Sequence, residues 1–176
     1  MDKQGKLQRF VALRLGLSDI RIDLEDGREL AHATRLMLEQ AQNQVDIFSR
    51  QLDPVVLERR EMLAALRELC TRNPRARVRA LVQQPAEAAR RCPRLLELAR
   101  RLDSLIELRQ PHPDYRHCNE AFMIVDGTGL IERGFSDRPQ GSASFNAPTA
   151  ARRRAEFFTE VWERSETHPE LRRLHL

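Results

Sequence analysis

Apolar residues return at helical spacing through some stretches of this chain and at every second position through others, and the alternation of the two periods sets out its elements. Ala33, Leu36, Met37 and Ala41 share one face of a helix beginning near residue 31. Val45-Asp46-Ile47-Phe48 follows with the β-branched and aromatic character of a strand. Met62, Leu63, Leu66, Leu69 and Cys70 repeat at helical spacing, Asn73-Pro74 stops that helix, and Val78, Ala80 and Val82 alternate along the next strand. Strand, helix, strand predicts a right-handed parallel crossover. Pro93 is placed as the first residue of a helix carrying Leu95, Leu96, Ala99 and Leu102, and Ile106-Glu107-Leu108 reads as a third strand.

After a loop over residues 110 to 119, an apolar strand runs from 121 to 125, and Asp126-Gly127-Thr128-Gly129 turns it back into an antiparallel partner over 130 to 133. Residues 134 to 149 are rich in Gly, Ser, Pro and Asn and read as loop with a short strand at Ser144-Phe145-Asn146. The last helix, 149 to 164, aligns Ala151, Ala155, Phe158, Val161 and Trp162, with Trp162 as a core anchor. Residues 1 to 30 carry no helical stripe. Ile20, Ile22 and Leu24 alternate there and Asp26-Gly27 supplies a turn, which predicts an edge strand or arm. The expected organisation is an N-terminal strand or arm over 1–30, an α/β domain over 31–165 and a C-terminal tail over 166–176. The fold class is α/β, with a mixed, largely parallel sheet and helices on both faces.

At 176 residues the chain has the size of one domain, and 41% hydrophobic with 32% charged residues fits a globular protein with a heavily charged surface. No apolar run approaches the roughly 20 residues of a membrane span, and the first ten residues are too polar for a secretory signal, so a cytosolic protein is expected. Cys70, Cys92 and Cys118 are far apart and odd in number, which argues against a disulfide framework or a zinc knuckle; Cys70 and Cys92 read as core residues. His32, His112, His117, His168 and His175 show no metal-ligand spacing, and no phosphate-loop, dinucleotide or nucleophile-elbow motif occurs, so no metal or cofactor is implied. Asp53-Pro54 reads as a helix-start turn. The net charge is +4, and only Lys3 and Lys6 are lysines among 30 basic residues.

The stretch HCNEAFMIVDGTG, residues 117 to 129, carries a further signal. A strand ending in I-V-D-G, preceded by helix-strand repeats and followed by an antiparallel partner and an amphipathic helix, resembles one half of the phospholipase D superfamily over about residues 31 to 165. That family's signature is H-x-K-x-x-x-x-D followed by a Gly/Ser-rich strand. With Asp126 as the motif aspartate, Asn119 stands at the histidine position and Ala121 at the lysine position. The family chemistry uses the histidine of one half as nucleophile, that of the second half as general acid, and lysines to hold phosphate oxygens. Alanine cannot hold phosphate, and no lysine follows Lys6. His117 lies two residues before Asn119 and would share its face on an extended strand, but reading the motif from His117 puts Asn119 at the lysine position and Ile124 at the aspartate position. The Gly/Ser-rich strand is matched either by Gly134-Phe135-Ser136-Asp137 or by residues 141 to 146.

The resemblance therefore implies a catalytically degenerate domain acting as a binding or regulatory module, with a remnant cleft that accepts a phosphate-bearing ligand. Asn119, Asp126, Arg116, Arg133, Ser136 and Arg138 are the ligand-binding candidates. Because active members join two halves around one site, a homodimer is the expected partner arrangement. The alternative is a phosphodiesterase or nuclease using His117 with arginine phosphate clamps. A third reading, nucleic-acid binding through arginines, draws little support from a net charge of +4 and 5% aromatic residues.

Overall fold

The computed structural model of the chain describes residues 7–172. Seven strands, β1 (Arg21–Leu24), β2 (Gln44–Ser49), β3 (Arg77–Val82), β4 (Ile106–Arg109), β5 (Ala121–Val125), β6 (Gly129–Arg133) and β7 (Gly141–Ser144), form one sheet in the order β1-β7-β6-β5-β2-β3-β4. The helices are α1 (Gly27–Gln40), α2 (Pro54–Leu57), α3 (Arg60–Arg72), α4 (Pro85–Arg91), α5 (Pro93–Arg101), α6 (Pro148–Glu163) and α7 (Pro169–Arg172).

The sheet is α/β and mixed, as the sequence predicts, but it is not largely parallel. β2-β3 and β3-β4 pair parallel, whereas β2-β5, β5-β6, β6-β7 and β1-β7 pair antiparallel. The crossovers through α3 and through α4 and α5 give the two parallel pairs, the short β5-β6 and β6-β7 connections force antiparallel pairing, and the antiparallel β2-β5 and β1-β7 pairs join strands distant in the chain. β2 is the seam between the two blocks.

Helices cover both faces, and the strand alternation assigns the layers. Val45 and Ile47 of β2 and Met123 and Val125 of β5 point into the core shared with α1, α3 and α5, where Met37, Met62, Leu66 and Leu96 are buried. Phe48, Phe122 and Ile124 point to the opposite face and meet α6 through Ala151, Phe158, Val161 and Trp162. Asp46 also faces α6. It accepts from Arg79 of β3 at 2.8 and 3.0 Å, in register across the parallel pair, and the guanidinium lies under the Phe158 and Trp162 rings at 4.9 and 5.3 Å. The buried carboxylate is thus paired and its partner stacked. Trp162 is the predicted core anchor, 9% exposed.

Three element boundaries differ from expectation. α1 starts at Gly27, because Asp26 does not merely turn the chain: it caps the helix, accepting from the Arg28 and Glu29 amides. β7 lies at Gly141–Ser144 rather than at residues 144 to 146; a Cβ on Gly141 would sit 2.2 Å from the Glu132 carbonyl oxygen, so the strand packs this closely to β6 only through glycine. The segment after residue 166 carries α7, whose Leu171 is buried in the main core. At the other end, residues 7 to 20 lead into edge strand β1 and bury Phe10 and Leu13, and Gln40 of α1 accepts from the Leu15 amide and donates to the Leu13 carbonyl. Arg9 meets the buried Glu29 at 2.8 Å. Lys3, Lys6 and His175 lie outside the described residues. Among the described residues no helix is long and apolar enough to cross a membrane.

The turn between β5 and β6 is closed by Asp126 and Gly127, both with positive φ (51° and 69°), and the Thr128 amide donates to the Val125 carbonyl at 3.1 Å. This backbone suits Gly and, among side-chain residues, Asp or Asn. The Asp126 carboxylate reaches back across the seam and accepts from the amides of Gln42, Asn43 and Gln44 at 2.7, 2.8 and 2.8 Å. Asp126→Asn retains the left-handed preference but loses charge-assisted bonding and is expected to cost about 1 kcal/mol; Asp126→Ala loses both, at about 2–3 kcal/mol, measured by urea unfolding. The three cysteines are free and buried, burial raises all three thiols, and Cys92, near Glu58 and Asp53, is pushed up to about 12. None is expected to react with a disulfide reagent at neutral pH until the chain is unfolded, when all three become titratable.

Candidate functional site

The candidate residues separate into two ends of one strand. β5 runs between them, with Asn119 just before its start and Asp126 just after its end. Asp126 is committed to the three amides above, so it does not share a cleft with Asn119, contrary to the expected remnant site. Ala121, at the position of the family lysine, is 2% exposed. The space beside Phe122 is filled: the ring stacks on Phe48 at 5.2 Å, and the adjoining cavity amounts to about 30 Å³, room for about one or two waters.

At the other end, where β2 finishes and β5 and β6 meet, several candidates do converge. Arg133, the last residue of β6, is 6% exposed, and its guanidinium serves three acceptors. One amino group pairs with the Asp53 carboxylate; the other donates to the carbonyls of Ser136 and Arg138 at 3.0 and 2.9 Å. Asp53, with φ 41°, opens α2 as its sequence suggested, while its side chain turns inward to Arg133 and to Ser49 Oγ at 3.4 Å. Burial raises the Asp53 carboxyl above the usual carboxylate range, opposed by the charge and hydrogen bond of Arg133. Arg133 thereby holds the 134–140 loop against the start of α2, a positioning role that leaves it little capacity for a ligand.

The residues around this anchor are less committed. Arg50 follows β2; its amide donates to Ser136 Oγ at 3.2 Å and its guanidinium donates to Asn119 Oδ1. The Ser136 amide donates to the Asn119 carbonyl at 2.7 Å, which closes a ring among Arg50, Asn119 and Ser136. Arg138 lies over the Phe135 ring at 5.0 Å, and Phe135 is 53% exposed. Arg91, at the end of α4, donates to Gln51 Oε1 at 2.9 Å. A cleft of about 330 Å³ opens here, lined by Arg50, Arg91, Arg133 and Arg138 together with Asp53 and Asp137. Four guanidinium groups face two carboxylates, an excess of positive charge, and among the described residues Arg50, Arg91 and Arg138 form no ion pair.

Asn119, Arg133, Ser136 and Arg138 are therefore brought together, with Arg50 and Arg91 as members that sequence reading missed. Both lie at pattern breaks, Arg50 after the β2 apolar run and Arg91 before Cys92-Pro93, and nothing in the letters distinguishes them from the other arginines. Arg116 lies elsewhere, exposed at the end of a 3-10 turn, Pro113–Tyr115, beside His112 and Arg164. His117 is exposed, its Nε2 3.7 Å from Cys118 Sγ, and is not among the residues lining the arginine cleft. The two proposed Gly/Ser segments take different roles: 134 to 137 forms the cleft loop and 141 to 144 is strand β7.

Solved structures share this architecture. TrmBL2, an archaeal chromatin protein with a novel mode of DNA binding, superposes with a TM-score of 0.64 at 14% identity, covering 94% of this chain and 61% of its own. The chain thus spans somewhat under two thirds of that protein. Nuc from Salmonella typhimurium, a phospholipase D family member, gives 0.53 at 13% identity over 77% of this chain and 88% of its own. NucT from Helicobacter pylori gives 0.54 at 9% identity over 85% and 98%. At these identities the likeness shows the fold alone, which is phospholipase D-like. No curated protein matches the sequence. Residues 26–174 match the model of the family described as "Domain of unknown function (DUF7931)", and the chain belongs to that family.

Proposed function

We propose that the chain is a phospholipase D-like domain that binds a phosphate-bearing ligand without hydrolysing it, as a binding or regulatory module. The observation that carries this reading is the arginine-rich cleft at the end of β2, combined with what occupies the motif positions. Asn119, Ala121 and Asp126 supply neither a nucleophile nor a lysine-type clamp: the amide oxygen of Asn119 accepts from Arg50, Ala121 is buried, and Asp126 is held by backbone amides. Phosphoryl transfer needs a positioned nucleophile and charge stabilisation in one place. Binding needs only the second. Arg50 and Arg138 present planar, multiply donating groups that suit phosphate oxygens, and Ser136 adds a hydroxyl between them. That Nuc is a phospholipase D family member supports a phosphodiester as the ligand chemistry.

The alternative, hydrolysis by His117, is disfavoured by the position of that imidazole, exposed beside Cys118 and apart from the arginine cleft.

Two measurements test the reading. Titration with dimethyl phosphate followed by calorimetry is expected to give a saturable site that Arg50→Ala or Arg138→Ala weakens about tenfold or more, the effect of removing one charge-assisted hydrogen bond, with thermal unfolding unchanged in Arg138→Ala and slightly lowered in Arg50→Ala, which also loses its bond to Asn119. Bis(p-nitrophenyl) phosphate is expected to survive incubation with the protein; turnover abolished by His117→Ala would establish the enzyme instead. Arg133→Ala should act differently, costing about 1–3 kcal/mol of stability because the half-buried Asp53 carboxylate and the carbonyls of Ser136 and Arg138 lose their donor. Replacing both Asp53 and Arg133 with alanine should recover part of that loss, as a double-mutant cycle by urea unfolding would register.

A further inference from the structure

A second basic surface lies on the outer helical layer, away from the cleft. α3 and α5 run beside each other and leave between them a groove of about 520 Å³ lined by Arg60 and Arg67 from α3 and by Arg94, Glu97 and Arg101 from α5, over a floor that includes Leu63 and Leu98. Each arginine pair is separated by seven residues, just under two helical turns, so both members face the same way about 10.5 Å apart along their helix. The two walls differ in how far they are neutralised. Arg94 pairs with Glu58 at 3.1 Å and Arg101 with Glu97 at 2.5 Å. Arg60 and Arg67 are exposed and form no ion pair among the described residues.

We infer that this groove binds the phosphate backbone of duplex nucleic acid without reading its sequence. Along one strand of B-DNA a phosphate recurs about every 3.4 Å of axis, so the span between two paired arginines faces about three phosphates, ample for the free guanidiniums of α3. The lining also argues against other occupants. The exposed large apolar residues of the described chain, Val11, Leu17, Ile20, Val55 and Phe135, all lie outside the groove, which therefore lacks the apolar or aromatic anchor on which protein partners concentrate their affinity. No aromatic side chain lines it either, so single-stranded bases find no stacking platform. What remains is charge recognition of a regularly spaced polyanion, the contact that duplex backbone binding uses. A formal net charge of +4 conceals this groove because acidic residues elsewhere balance the sum.

The test uses the full chain and a fluorescently labelled duplex of random sequence, with binding followed by anisotropy across a salt series. The wild type is expected to bind at low ionic strength with affinity falling linearly in log K against log salt. Arg60→Ala/Arg67→Ala is expected to flatten that slope by about 1.8, near 0.9 for each phosphate no longer neutralised, while thermal unfolding is unchanged because both side chains are exposed and unpaired. Arg152→Ala/Arg153→Ala, which removes the same charge from α6 on the opposite face, should leave the slope as in the wild type. The inference is overturned if the duplex fails to bind, if the α3 variant keeps the wild-type slope, if the α6 control flattens it equally, or if poly-glutamate binds where the duplex does not. Variants of Arg50 and Arg138 report on the cleft alone, so failure at either site is read separately.

Discussion

One carboxylate holds the two halves of the sheet in register. Asp126 leaves β5 in a left-handed turn and accepts from three successive amides at the entrance to β2, joining the antiparallel block to the parallel one at the seam where neither a crossover helix nor a hairpin links the strands. A one-residue slip of β5 against β2 would turn Phe122 away from α6 and Met123 out of the opposite core, inverting the two faces of that strand. The motif aspartate thus has a structural role here, and the left-handed turn with its three amide contacts accounts for Asp126-Gly127 at this position.

The far end of the same seam is closed by cations instead. Arg50 ties β2 to Asn119 and Ser136, and the buried Arg133 ties β6 to Asp53 and to the loop that follows. These contacts engage one side-chain donor of Arg50 and three of the buried Arg133, and that difference separates a ligand-facing group from a positioning one. At the start of α2 the left-handed Asp53 turns its partly buried carboxylate onto Arg133, and both residues line the cleft. Stability and site are therefore coupled through one ion pair. On the other face the Asp46-Arg79 pair, covered by Phe158 and Trp162, does purely structural work with the same chemistry.

Arginine dominates each of these arrangements. With lysine confined to positions 3 and 6, every described basic contact other than those of histidine is made by a planar, fork-shaped donor. One such group can satisfy a carboxylate and two carbonyls together, as Arg133 does, and can lie flat on an aromatic ring, as Arg79 and Arg109 do. Composition alone could not say which arginines are buried anchors and which remain open to a ligand.

Period and punctuation in the sequence located α1, α3, α5 and α6, the parallel crossovers, the β5-β6 turn and the core role of Trp162, because each depends on residues close together in the chain; the short helices α4 and α7 were not legible there. They also identified the strand ending in Asp126 and the absence of a lysine from the motif position before it. Tertiary structure decided the rest. The balance of parallel and antiparallel pairs followed from which strand β5 chose as neighbour, a pairing that sets Phe122 opposite Phe48 across a long separation in the chain. The cleft likewise assembled Arg50, Asp53, Arg91 and Arg133 from four separate elements. Local patterns record which face of an element is apolar, but not which charged side chains will meet once those faces are buried.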